Sequence, residues 1–241
     1  MIYDNRFWFA PAYSLHKAIE WQKDRVNSGN PLSSEEKKAV KEIAAASIFL
    51  LGIIKLTGTQ YRLQLVSPSE RTPDIRSARV SDTIAPNGRP ELDYQDLEIV
   101  TQDSHSDEEL DDFIKRTKLS PYKAYQEDTI ILCHIDKDVT GTMAWADVHK
   151  SLVAYSKSNV QVYLLARITP PPTHKYRLCM VYPRLENCIE FDVLEEAVEA
   201  AKQNVQGTEI AYIKKRVTGD IYPVGISPFD DEVPKPLGPS H

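Results

Sequence analysis

The sequence predicts an α/β fold, a single domain on a central mixed β-sheet flanked by helices. Three observations predict it. Apolar residues recur at helical spacing in several separate stretches. Alternating or continuous apolar runs, bounded by turn residues, lie between them. Helical and extended stretches interleave along the chain instead of segregating. With 241 residues, 41% hydrophobic and 27% charged, the chain is long enough to bury a sizeable core.

The elements follow in order. A first helix is expected from about Ser14, carrying Leu15, Ala18, Ile19 and Val26 until the breaker at 27–31. A second opens with a capping box, Ser33 followed three residues later by Glu36, and runs through Val40, Ile43, Ala44, Ile48, Leu51 and Ile54 to Thr57-Gly58. Its charged first turns and apolar second half predict that the C-terminal half is buried.

Three strands are expected next, at 61–66, 75–81 and 92–101, with short connections such as Pro86-Asn87-Gly88, hence an antiparallel meander. Ser106 and Glu109 suggest another capping box before a short helix with Leu110, Phe113 and Ile114 on one side. The nearly continuous apolar run at 129–135 reads as a strand covered on both faces. A helix with Trp145, Val148, Leu152 and Tyr155 on one face follows. Then come a strand at 160–168, the breaker at 170–172 and a strand at 176–182. A last helix is expected from Asp192 and Glu195 to Gly207, and a strand at 209–217 closes the fold. One domain over 1–227 is expected, its core at about 33–168 and a C-terminal extension at about 169–227. The Asp/Glu/Pro/Gly/Ser-rich stretch 228–241 reads as a disordered tail.

Bulk chemistry narrows the function classes. A formal net charge of −6 argues against a protein that coats nucleic acid by charge alone, but leaves room for a local basic groove. Cys133, Cys179 and Cys188 are odd in number and lack paired spacing, which predicts no disulfide and a reducing cytoplasm. No signal peptide is visible, and the apolar run at 43–54 is short of the roughly 20 residues a bilayer needs, so a cytoplasmic location without membrane association is expected.

The stretch from Asp74 to Val100 carries the chemistry. Side chains two apart in a strand share a face, so Asp96 and Glu98 point together while Leu97 and Ile99 point away. Two carboxylates on one face repel and lose hydration unless a cation or partner compensates. If Asp74 approaches from the neighbouring strand, the three acids could hold a hard divalent metal. The plainer reading makes Asp74 a turn residue after Pro73 and puts Asp96 and Glu98 on the wet face of an edge strand.

An acidic run overlaps the end of this stretch and a basic group follows it. From Glu91 to Ile114 there are ten Asp or Glu residues and no Lys or Arg, read as a solvated face or as a phosphate-mimicking surface for a DNA-binding protein. Lys115, Arg116, Lys118 and Lys123, with Tyr122 and Tyr125 nearby, could grip a nucleic-acid backbone or simply end a helix. Cys133-His134 reads as core, and Trp8, Trp21 and Trp145 as core or partner contacts. No CxxC, HxxxH or GxSxG pattern occurs, and no glycine-rich phosphate loop precedes a helix.

The order of elements and the acids together resemble the PD-(D/E)XK, restriction-endonuclease-like superfamily, across roughly residues 33 to 136. The resemblance implies an αβββαβ core with Pro73-Asp74 at the second strand and Asp96-Leu97-Glu98 as the (D/E)-x-K element, jointly binding magnesium. Glu98 stands where the family has lysine, as Glu or Gln does in some members. A second register, Glu98-Ile99-Val100, would put Val100 there and suggest an inactive enzyme. Glu36 or Glu42 could supply the helical acid that some members add.

The function expected from this resemblance is a Mg²⁺-dependent DNA endonuclease hydrolysing phosphodiester bonds, with Mn²⁺ as a second possible ion. Asp74, Asp96 and Glu98 would be both catalytic and metal-ligating, Lys115, Arg116, Lys118 and Lys123 would contact DNA, and a homodimer or protein partner is possible. The alternative is an inactive nuclease-fold or acidic-surface protein acting as a binding or regulatory partner.

Overall fold

Helices α1 (Pro11–Asn27) and α2 (Ser34–Thr57) pair on one face of a mixed seven-stranded sheet in the computed structural model of this chain. Helices α3 (Leu110–Thr117) and α4 (Trp145–Tyr155) cover the other face. The structure describes residues 8–65, 73–84, 90–103, 106–120, 125, 129–136, 145–155, 159–168, 175–186, 188–193, 211–214 and 221–224.

The sheet runs in chain order. Strands β1 (Tyr61–Leu65), β2 (Ile75–Ile84) and β3 (Pro90–Asp103) form the antiparallel meander. β4 (Ile130–Asp136) and β5 (Gln161–Arg167) continue it in parallel, each entered after a helix, as a parallel crossover requires. β6 (Lys175–Tyr182) and β7 (Ile189–Asp192) return antiparallel. β8 (Ala211–Lys214) and β9 (Ile221–Val224) form a separate two-stranded sheet. Neither β7 nor β9 was expected from the pattern; both are four-residue strands whose partners lie beside them in the chain.

Two apolar layers sandwich the sheet, and strand alternation sorts residues between them. Ile130 and Leu132 of β4 join the α1/α2 layer, whereas Ile131, Cys133 and Ile135 join the α3/α4 layer. The continuous apolar run at 129–135 therefore marks a strand covered on both faces, as expected. Buried Trp8 and Trp145 and partly buried Trp21 are consistent with the core reading.

Helix α2 forms as its sequence dictates. Glu36 N donates to Ser33 Oγ at 3.1 Å and Ser33 N to Glu36 Oε2 at 2.7 Å, closing the capping box. Gly58 ends it with φ 71°, a left-handed cap that suits glycine. Gly52 has a different reason to be small. A Cβ there would meet the Phe191 ring at 2.7 Å, so the helix approaches β7 too closely for any side chain.

Four expectations change. Helix α1 begins earlier, at Pro11, and packs through Ala12, Leu15 and Ala18, leaving Val26 exposed and Ile19 at the surface margin. The Ser106/Glu109 box does not form. Ser106 Oγ accepts from Glu108 N at 3.4 Å, and the first turn of α3 carries Asp111 and Asp112 instead. Tyr155, expected on the apolar face of α4, is exposed at its end. Finally, Cys179 and Cys188 are joined in a disulfide. Leu178 pairs with Ile189, so the next register step sets the two cysteines opposite each other with Cα atoms 4.4 Å apart. The hairpin, which includes a cis Tyr182–Pro183 bond, creates that proximity; sequence spacing does not show it. Cysteine usage consequently no longer argues for a reducing compartment.

No described helix is long and apolar enough to cross a membrane. The expected last helix over 194–207, the tail from 228 and Lys123 lie outside the described residues.

Candidate active site

The meander register brings two of the three candidate acids together. Ile75 pairs with Leu97, so Asp74, one step before β2, lies opposite Glu98. Ile75 and Leu97 both enter the α1/α2 layer. Alternation then turns Asp74 and Glu98 to the other face, where Val100 packs against the α3/α4 layer. Asp74 Oδ2 accepts the Ile99 N–H at 2.7 Å, so its carboxylate is fixed by the partner strand's backbone.

A lysine completes the group. Leu110 and Ile114 form the buried stripe of α3, and Lys118, four residues on, extends it just past the helix end. Its ammonium donates to Asp74 Oδ2 at 3.1 Å and to Glu98 Oε2 at 2.7 Å. Its backbone is held on both sides: its N–H donates to Ile114 O at 2.9 Å, and its carbonyl accepts the Tyr125 hydroxyl at 2.7 Å.

The electrostatics follow from burial and these charges. Burial alone would push the Lys118 ammonium down, but Asp74 and Glu98 outweigh it and hold the group above the ordinary lysine range. The Tyr125 hydroxyl is pushed up, first by burial and then by the charges of Glu98 and Asp74. Glu42 of α2 responds to the same group. Its carboxyl is raised by burial and then by Asp74, against the opposing pull of Lys38, 3.4 Å away, and of Lys118. Glu36, the other candidate helical acid, is committed to the capping box and to Arg25 at 2.8 Å.

Asp96 stands apart from the pair. It lies opposite Arg76, two residues from Glu98 on the same face of β3. Burial raises its carboxyl and the Arg76 charge pulls it back. Among the described residues no three His, Cys, Asp or Glu side chains are grouped so as to hold a metal ion. The three-acid set expected from sequence is thus replaced by two acids and a lysine.

The expected basic cluster is divided too. Lys115 Nζ donates to Asp111 at 2.8 Å, Asp112 at 3.1 Å and Ser151 Oγ at 2.6 Å, tying α3 to α4. Arg116 forms a two-pronged pair with Glu108 at 2.9 and 2.6 Å. Lys118 faces the acids instead of the helix exterior. The one sequence signal for that was its place on the apolar stripe of α3, where a cation needs a buried counter-charge. Cys133 is wholly buried, its thiol pushed up to about 12 by burial, which suits a core residue and not a nucleophile.

Asp74 and Glu98 offer hard oxygen donors from adjacent strands. Magnesium keeps several of its waters and takes one or two protein carboxylates, so the pair fits such an ion in type and number once the Lys118 ammonium gives way. Comparison with protein-family models, with curated proteins and with solved structures finds no match for this chain, so the site rests on its own geometry.

Proposed function

We propose that the chain is a divalent-metal-dependent nuclease of the restriction-endonuclease-like kind, acting on phosphodiester bonds of DNA. One observation carries the reading. Asp74 and Glu98 face each other across β2 and β3, with the Lys118 amine on both. In this reading the second register is the relevant one. Glu98-Ile99-Val100 supplies the acid, Val100 occupies the lysine position along the strand, and Lys118 restores an amine in space from the end of α3.

Each residue has a definite task. Asp74 and Glu98 would hold Mg²⁺ or Mn²⁺, and the backbone N–H of Ile99 fixes Asp74 for it. When bound, the ion supplies an activated water and neutralises charge on the phosphate. Lys118, released from the acids, donates to a non-bridging phosphate oxygen and counters the charge that builds there. Tyr125 positions Lys118 through its carbonyl. Glu42 supplies the helical acid at the margin of the site.

The test is cleavage of supercoiled plasmid with Mg²⁺ or Mn²⁺ by the wild type, Asp74→Asn and Glu98→Gln. Each substitution is expected to lower the rate by about 10²-fold or more, since each replaces an anionic metal donor with a neutral amide. Wild-type cleavage that persists unchanged in both variants would discard the site. A second reading, a nuclease fold retained for binding, is favoured by the burial of Glu98 and Lys118. It gains if metal binds and no nucleic acid is cut.

A further inference from the structure

We infer that Lys118 is a resident counter-cation that competes with the metal for Asp74 and Glu98, so that metal binding is coupled to the arrival of a phosphodiester. The inference rests on the nuclease reading above and concerns how that site is loaded.

Three observations lead to it. The ammonium lies on both carboxylates at once, through Asp74 Oδ2 and Glu98 Oε2. Lys118 and Glu98 are buried and Asp74 is only partly exposed, so while the lysine is in place a solvent cation can reach the pair through the Asp74 edge alone. The Lys118 backbone is pinned at both its N–H and its carbonyl, whereas the four-carbon side chain between is long enough to swing.

Charge balance then sets the order of events. Two carboxylates and one ammonium leave the site with a single negative charge. Adding a divalent ion beside the lysine overshoots to a positive charge, in surroundings where like charges repel strongly. A phosphodiester carries one negative charge and restores neutrality, giving the displaced ammonium a new partner. Metal alone should therefore bind weakly, and metal with a phosphodiester well. Neutralising residue 118 should remove the competitor.

Calorimetric titration of Mn²⁺ alone into the full chain and into Lys118→Met tests this. The variant is expected to bind about tenfold tighter or better, the effect of removing one close like charge at partial screening. Equal or weaker binding by the variant, with measurable wild-type binding, overturns the inference and leaves the nuclease reading standing. No Mn²⁺ binding by either protein overturns both. Should Lys118→Met not fold, the wild type decides the matter through mass-spectrometric mapping of acetic-anhydride labelling. Mn²⁺ together with dimethyl phosphate is expected to raise Lys118 labelling several-fold, because the ammonium leaves its buried seat. Unchanged labelling overturns the inference.

Discussion

Among the described residues the same three-residue arrangement occurs twice, on opposite faces of β3. Lys118 bridges Asp74 and Glu98 on the α3/α4 face. Lys41 of α2 bridges Asp103 at 3.5 Å and Asp136 at 3.0 Å, at the ends of β3 and β4. In each, one ammonium straddles acids from adjacent strands. Their surroundings differ. The side chains of Lys118, Asp74 and Glu98 are 10%, 20% and 6% exposed, against 50%, 71% and 38% for Lys41, Asp103 and Asp136. Water screens the outer group and supplies alternative partners to each member. The inner group is largely shielded from water, so losing one member leaves charge poorly compensated. Chemical composition alone does not separate a surface staple from a candidate site; burial does.

The largest effect should come from the inner group. Lys118→Met is expected to lower unfolding free energy at pH 7 by about 3–5 kcal/mol, measured by urea denaturation, because the buried Glu98 and the partly buried Asp74 lose their cation. The high-pH limb sharpens this. The Lys118 pKa is raised in the folded chain, so its contribution is fully present below the unfolded lysine value of about 10.4 and is lost as pH climbs through the folded value. Lys118→Met should lack that added loss. A cost below about 1 kcal/mol would put both groups in the class of surface pairs and break the comparison.

Next in size is an acid effect beside the outer group. His134 of β4 is pushed down to about 4, first by burial, with Asp136 opposing and Lys41 and Arg167 reinforcing. Its Nδ1 has no hydrogen-bond partner among the described residues. A depressed histidine stabilises the fold above its unfolded value of about 6.5, and that contribution is lost as pH falls from there through about 4. The loss should reach about 2–3 kcal/mol. His134→Gln should flatten the melting temperature over that window; an unchanged slope would show that His134 is not its source.

The smallest effect belongs to Lys41. Lys41→Ala is expected to cost no more than about 1 kcal/mol, and to cost less as salt is added. A loss as large as that of Lys118→Met would mean that exposure does not decide the strength of these groups.

Several elements were legible in the sequence because their causes are local. The Ser33/Glu36 box, the Gly58 cap and the amphipathic pattern of α3 depend on neighbours within one or two turns. The meander and the doubly covered β4 followed from alternation and from an apolar run too continuous for a half-exposed strand. Glu98 was legible as a candidate because a carboxylate within an apolar strand needs a compensating partner, and Asp74 because it leads the neighbouring strand after Pro73. The grouping failed at Asp96, which spacing equates with Glu98 but register sets opposite Arg76.

The sequence by itself therefore determined the order of elements from α1 to β6, the caps of α2, and Asp74 and Glu98 as candidate acids. These follow from hydrogen bonds and side-chain periodicities a few residues long. Only the tertiary structure decided that Lys118 closes on Asp74 and Glu98, that Cys179 meets Cys188, and that Gly52 must stay bare beneath Phe191. Those contacts join positions separated by 9 to 139 residues, as for Cys179–Cys188 and Gly52–Phe191. Strand register and helix seating set such distances to within an ångström, and register is fixed by burying an entire face, a property no short stretch of chain carries alone.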